Sequence, residues 1–323
     1  MNKIVAWVCA ALFTACSVNA SAADAKPDRV LVTEAFHSLL YLPVYVARHQ
    51  GFFEKNQIDV TSIRSAGSGP TALAAVLSGE AQFSVHGPEH VGFAQQKGGK
   101  AKAVSAVANS APVWIVAKPD FKFSSPADLK GKRVVVGLAP GTSNTLLLRL
   151  LGQNGLNPKT DVEINEVQNG SELGPLLAGR ADAAVVYEPQ ADQGVGQGLK
   201  VIYDFTRDYP EYAFSTINTS EKMIADNPQL VARFVKAINE SLAFIHQHPD
   251  VAKQVAREEF AGLNGSVVDA AVQRMIDSNV YPANAVISPE AFTTAINIQK
   301  FVGNITQDMP YTQIVDGQFA ARP

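Results

Sequence analysis

Two histidines and a glutamate stand together in the run Val85-His86-Gly87-Pro88-Glu89-His90. The spelling HxxEH is one that certain zinc peptidases use, with two imidazoles as metal ligands and the carboxylate as general base. Such a site needs both histidines one turn apart on the same helix face, so that both rings meet one ion. Pro88 works against that arrangement. Proline is favoured as the first residue of a helix, where a missing N–H costs nothing, and it holds the residue before it in extended backbone. The expectation is therefore a strand ending at His86 and a helix opening with Glu89 and His90, with no metal held. His86, Gly87 and Glu89 then become candidate polar contacts to a ligand, while His90 is expected to face solvent.

The surrounding pattern says what must hold these residues. Apolar, β-rich runs alternate with runs of helical period: 30–33 then 42–54, 58–63 then 70–78, 81–85 then 88–97. Such alternation signals βαβ units and a parallel sheet. A second series follows the turn-rich Ser124-Ser125-Pro126: 133–137 then 142–152, 162–165 then 171–178, 181–186 then 189–197. From Ser220 onward the chain reads as helices, at 228–247, 249–260, 266–277 and 289–301, with Pro228, Pro249 and Pro289 near their starts.

The two series match in pattern at residues 77–86 and 177–186. Each runs helix end, glycine cap (Gly79, Gly179), short buried strand. Gly87-Pro88-Glu89 follows one strand and Tyr187-Glu188-Pro189 the other. Two similar lobes facing each other would open both loops into one cleft, because α/β sheets bind ligands beyond the carboxyl ends of their strands. The expected fold is thus α/β and two-lobed, each lobe a mostly parallel sheet flanked by helices.

Composition narrows the function. The first residues have a basic start at Lys3, an apolar stretch over 4–15 and small residues at Ala20-Ser21-Ala22, the layout of a secretory signal peptide ending at residue 22. The competing reading is a lipoprotein box at 12–16 with Cys16 lipidated, for which Phe13 is a poor fit. Both cysteines, Cys9 and Cys16, lie in this leader, so cleavage after Ala22 leaves no thiol for a disulfide or a cysteine nucleophile. The formal charge of −3 becomes one unit more negative once Lys3 departs, which argues against nucleic acid as a partner.

Leu42-Pro43-Val44-Tyr45-Val46-Ala47, Gly51-Phe52-Phe53-Glu54, Leu77-Ser78-Gly79-Glu80-Ala81, Ser125-Pro126-Ala127-Asp128-Leu129-Lys130-Gly131-Lys132, Ala178-Gly179-Arg180-Ala181-Asp182-Ala183 and Glu188-Pro189 stand in this order. The ordered set resembles the periplasmic solute-binding proteins of nitrate, sulfonate and taurine importers, a family that also holds binders of thiamine-precursor pyrimidines. The resemblance implies a type II periplasmic binding protein without enzymatic activity or cofactor. It would be a monomer in the periplasm that closes over a small-molecule ligand and delivers it to the membrane permease of an ABC importer. Lobe 1 would comprise 23–115 and 215–323, lobe 2 residues 116–214. A fungal enzyme of the family makes the pyrimidine from its own histidine, but its cysteine-rich signature is missing here.

Further ligand contacts are expected around the cleft. In the resembling family the loop at Phe36, His37 and Ser38 lines it. Gly67, Ser68 and Gly69 would let backbone N–H groups approach a ligand at a helix start. Gly141, Thr142, Ser143 and Asn144 stand between a strand and an apolar helix, where free N–H groups and hydroxyls can hold an oxyanion; the lysine and glycine spacing of a P-loop are absent. Trp114 could stack on a flat ligand, and Tyr187 and Glu188 offer a phenol and a carboxylate on the far wall, unless Glu188 bridges the lobes. Phe214 and Asn218 lie on the expected return crossover. No arginine stands in an expected cleft loop; Arg64 lies within a strand. A sulfonate-like organic anion leads among ligands and a thiamine-precursor-like heteroaromatic follows. A secreted metal-dependent hydrolase and a ligand-presenting partner of a membrane sensor are the alternatives of other classes.

Overall fold

The computed structural model describes residues 26–320, so the expected signal peptide and both cysteines lie outside the described residues. Strands β1 (Asp28–Glu34), β2 (Ile58–Ser65), β3 (Phe83–His86) and β4 (Ala101–Ala108) are followed by β5 (Trp114–Ala117), β6 (Arg133–Gly137), β7 (Glu163–Val167), β8 (Ala183–Val186), β9 (Lys200–Asp204) and β10 (Ser215–Ser220). They form two five-stranded sheets, ordered β2-β1-β3-β10-β4 and β7-β6-β8-β5-β9.

The two orders are one plan used twice. In each, the first strand of its series lies parallel to the next two, as β1 does with β2 and β3, and β6 with β7 and β8. In each, the fourth position is an antiparallel strand that has come across from the other lobe, β10 in the first sheet and β5 in the second. The matched stretches at 77–86 and 177–186 end in β3 and β8, every residue of which is buried. Helices cover both faces of such a parallel core, which explains unbroken apolar runs where an open sheet would alternate. Gly79 and Gly179 close the preceding helices with φ of 83° and 71°, the left-handed turn that a residue with a Cβ adopts only at a cost.

The chain crosses between lobes after Ala108 and returns after Asp204. Trp114 and Ile115, expected at the end of lobe 1, pair instead with β8 and β9. The backbone hydrogen bonds of both neighbours claim them for the second sheet, and the turn signal at Ser124-Ser125 marks an internal bend. One expected helix, 42–54, is two: Leu42–His49 and Phe52–Lys55, broken by Gly51 at φ 70°.

The first of the long C-terminal helices packs against the first sheet and its helices. Pro228–Gln247 starts at Asn227, whose side chain accepts from the Leu230 N–H at 3.1 Å, with Pro228 at its first position. Its apolar face buries Leu230, Phe234, Ile238 and Leu242, and Phe234 stacks on Phe83 of β3 at 3.9 Å between ring centroids. Phe234→Ala would cost about 3–5 kcal/mol through lost burial and the cavity left behind. Helix Pro289–Phe301 reaches across to the second lobe, where the Arg149 guanidinium lies 4.2 Å over the Phe301 ring. Among the described residues no helix is long and apolar enough to cross a membrane.

Candidate functional site

The carboxyl ends of β1, β2 and β3 face those of β6, β7 and β8 across a cavity of about 190 Å³. The first lobe contributes Phe36 after β1, Gly67, Ser68 and Gly69 after β2, and His86 and Gly87 after β3. The second contributes Gly141 and Thr142 after β6 and Tyr187 after β8, while Phe214 enters on the return crossing. These ten candidates from the sequence come together around one space.

The walls are aromatic. Phe36 lies 5.1 Å from Tyr187 and 6.0 Å from Tyr41, and Tyr187 lies 6.1 Å from Phe214. None of the lining residues is Lys or Arg. Two helices point their N-termini inward, Gly69–Leu77 from the first lobe and Thr142–Gln153 from the second, so partial positive charge from unpaired N–H groups meets there.

Pro88 acts as the sequence predicts. It caps helix Glu89–Gln95, leaving His86 as the last residue of β3. His86 Nδ1 lies 2.9 Å from the Gly87 carbonyl and Nε2 2.9 Å from the Ser84 hydroxyl. A carbonyl only accepts, so Nδ1 carries the proton and Nε2 accepts from Ser84. Burial, with His90 beside it, pushes the His86 pKa down to about 3, and burial pushes that of His90 to about 4, so both rings are neutral. His90 does not face solvent as expected. It is 6% exposed, lines the cavity, and leaves both ring nitrogens without a protein partner. The reason is helix Gly69–Leu77, packed so closely that a Cβ on Gly69 would stand 2.3 Å from the His90 ring.

Glu89 sits one layer behind the lining. Its Oε1 accepts from the Thr142 hydroxyl at 2.7 Å, a direct link between lobes, while Oε2 is buried without a partner. The carboxyl packs beneath Gly87, where an added Cβ would meet Oε2 at 2.1 Å. Burial raises its pKa to about 7, against the opposing pull of the Thr142 hydroxyl and its own N–H. Glu172, equally buried in the second lobe, is also raised to about 7 by burial.

The remaining candidates lie off the cavity. His37 turns outward to stack on Phe260 at 4.3 Å, with Nδ1 3.2 Å from Glu34. Burial opposes its charge, yet the hydrogen bond and charge of Glu34 and the Glu259 carbonyl outweigh it, so its pKa is raised. Ser38 donates to the Glu188 carbonyl at 2.9 Å. Glu188 is the bridge between lobes: its carboxylate meets Arg274 Nε at 2.9 Å, and Arg274 also holds Asp192 at 2.5 Å. Trp114 lies fully buried in β5 and belongs to the core of the second lobe, because both faces of that strand are covered. The Ser143 N–H donates to the Tyr187 hydroxyl at 3.0 Å, and Asn144 donates to the Gly137 carbonyl at 3.1 Å. Asn218, in β10, donates to the His86 carbonyl at 3.2 Å from beneath.

Sequence reasoning missed Tyr41, His90, Asn169 and Ser215, all of which line the cavity. A signal for Asn169 was present: carried over by the offset between the two series, the loop after β2 corresponds to the loop after β7, and Asn169 lies there.

Two lobes of one topology, closed over a cavity at their strand ends, make the architecture of a type II periplasmic binding protein. The chain belongs to the NMT1/THI5 like family, whose profile matches residues 40–252. It is similar to the riboflavin-binding protein RibY of Chloroflexus aurantiacus, 29% identical over 247 residues, 72% of this chain and 67% of that one. Its fold is similar to that of the periplasmic aliphatic sulphonate binding protein SsuA from Escherichia coli, with a TM-score of 0.73 at 19% identity, covering 90% of this chain and 97% of SsuA. It is also similar to a zinc-bound ligand binding component of an ABC-type import system from Staphylococcus aureus, with a TM-score of 0.76 at 14% identity, covering 92% and 100% of the two chains.

Proposed function

We propose that this chain is the extracytoplasmic solute-binding component of an ABC importer, a monomer that closes over one small organic molecule and hands it to a membrane permease. The observation that carries the reading is the cavity where the strand ends of both lobes meet, lined by residues of each. The site supports binding rather than chemistry. His86 has both nitrogens engaged within the protein, and Pro88 separates it from the helix that holds His90.

The geometry favours a compact aromatic or heteroaromatic ligand. Phe36, Tyr41, Tyr187 and Phe214 supply ring faces, and the lining offers no Lys or Arg to pair with a full negative charge. A permanent anion would also oppose the charged forms of Glu89 and Glu172, which burial already disfavours. A sulfonate-like anion is the second reading, favoured by the two converging helix N-termini. Thermal-shift titration of the mature protein against aliphatic sulfonates and against aromatic heterocycles separates the two. Only the right class gives a stabilisation that grows with concentration. Native mass spectrometry of the protein as purified would reveal a retained ligand by its mass, and a metal content matched by loss of binding on chelation would overturn the metal-free reading.

A further inference from the structure

Helices Gly69–Leu77 and Glu89–Gln95 of the first lobe leave a second space between them, a groove of about 280 Å³ lined by Leu73, Leu77, Phe93, Ala94, Lys97 and Gly99. It is distinct from the ligand cavity, although Pro70 and His90 are walls of both. In the second lobe helices Leu173–Leu177 and Gln190–Gly196 hold the corresponding positions, and Leu173 and Leu177 repeat Leu73 and Leu77. The turns that follow are the same in both. Gly98 and Gly198 have φ of 84° and 86°, and the N–H groups of Gly99 and Leu199 donate to the carbonyls of Ala94 and Gly194 at 2.8 and 2.9 Å.

The side chains on these matching turns differ, and the difference decides what becomes of the groove. Leu199 is buried over Gly194, where an added Cβ would stand 3.1 Å from Leu199 and 3.2 Å from Leu173. The second lobe thus plugs its own groove with a leucine. In the first lobe the sizes are exchanged, with Ala94 in the place of Gly194 and Gly99 in the place of Leu199. A Cβ on Gly99 would stand 3.0 Å from the Ala94 carbonyl oxygen and 3.1 Å from its methyl, so this position carries no plug and Leu77 is left 38% exposed. Lone surface leucines are ordinary, but an apolar groove shaped for a side chain gains free energy when one fills it. The counterpart Leu199 shows which side chain fits. Among the described residues Lys97 is the one Lys, Arg, Asp or Glu on the lining, which favours an occupant with carboxylates beside its leucine over a basic one.

We propose that the groove between helices Gly69–Leu77 and Glu89–Gln95 is a docking socket for a protein partner, which inserts a leucine flanked by acidic residues at the place that Leu199 fills in the second lobe. The socket is separate from the ligand cavity, so its test is independent of which ligand that cavity takes.

The test titrates three capped tripeptides, Glu-Leu-Glu, Glu-Ala-Glu and Lys-Leu-Lys, into the full mature protein and follows its backbone amide shifts by NMR. Glu-Leu-Glu is expected to move the amides of residues 93–99 and to bind about tenfold more tightly than Glu-Ala-Glu, the ratio that partial burial of the larger aliphatic side chain gives. Lys-Leu-Lys should also bind more weakly. Ala94→Gly combined with Gly99→Leu copies the plug of the second lobe and should abolish these shifts, with far-UV circular dichroism checking that the variant folds. Lys97→Glu, at an exposed position, should reverse the preference between the acidic and basic leucine peptides. Absence of shifts at 93–99 in the wild type, equal binding of the leucine and alanine peptides, or shifts that persist in the folded plugged variant overturn the socket. If the plugged variant does not fold, the alanine peptide and Lys97→Glu decide the matter. Self-association of the wild type in sedimentation that the plugged variant loses would make a second copy of this chain the occupant and overturn the acidic partner.

Discussion

Replacing Glu89 with glutamine should make the protein more stable at pH 8 and leave it unchanged at pH 4. Glu89 is fully buried, with one oxygen on the Thr142 hydroxyl and the other unpartnered. Its pKa rises from 4.5 to about 7 in the folded chain, chiefly through burial. The folded state therefore holds this proton more tightly than the unfolded state. Between the two values the folded state binds more protons, so its stability falls as pH rises through that window and levels off above it. At about 1.4 kcal/mol per pKa unit, the shift makes an ionised Glu89 cost the fold about 3 kcal/mol at pH 8. Glutamine keeps an acceptor for Thr142 and never ionises. Urea unfolding of both proteins at pH 4 and pH 8 isolates the effect, since every other carboxyl titrates alike in each. The gain of Glu89→Gln over wild type should grow from near zero to about 3 kcal/mol across that range. A constant difference between the proteins at all pH values, or a less stable glutamine variant at pH 8, would refute the argument that burial governs this group.

Imidazole proton shifts followed by NMR should show His86 and His90 flat from pH 5 to pH 8, because their pKa values lie at about 3 and about 4, while His37 titrates above its ordinary value. A midpoint near neutrality for His90 would contradict its burial. Gly69→Ala should weaken ligand binding more than it lowers the melting midpoint, because the added methyl displaces the His90 ring from 2.3 Å away. Arg274→Ala leaves Glu188 and Asp192 buried without their cation and should lower unfolding stability by about 3 kcal/mol. It should also enlarge the radius of gyration in solution scattering as the lobes part; an unchanged radius would show that other contacts hold them.

The strand and helix pattern was readable in the sequence wherever one period ran unbroken. Helix Pro228–Gln247 has the bounds its proline and apolar spacing predict, and the matched stretches ending in β3 and β8 announced the doubled topology. Pro88 alone was enough to set His86 apart from Glu89 and His90. What failed depended on residues far away in the chain. His90 stands on the face of its helix that helix Gly69–Leu77 covers, and nothing local to residue 90 announces that. Phe36 and His37 are neighbours, yet one faces Tyr187 and the other Phe260, more than two hundred residues downstream. Trp114 was drawn toward the cleft by its chemistry, while strand pairing with β8 and β9 buried it in the core. Glu188 found Arg274, which belongs to a helix outside either repeat.

The chain order of the strands bears on how the protein is made. The second sheet is complete once Asp204 has been synthesised, but the first still has a gap between β3 and β4 that only β10, at Ser215–Ser220, can fill. The lobe begun first is thus finished last, and the emerging polypeptide carries an intact second lobe while its first sheet waits open. A nascent chain halted before Ser215 would expose the inner edges of β3 and β4 to pairing with other strands. A chaperone that shields strand edges would find its substrate in that window of synthesis, before the return crossing brings the missing strand home.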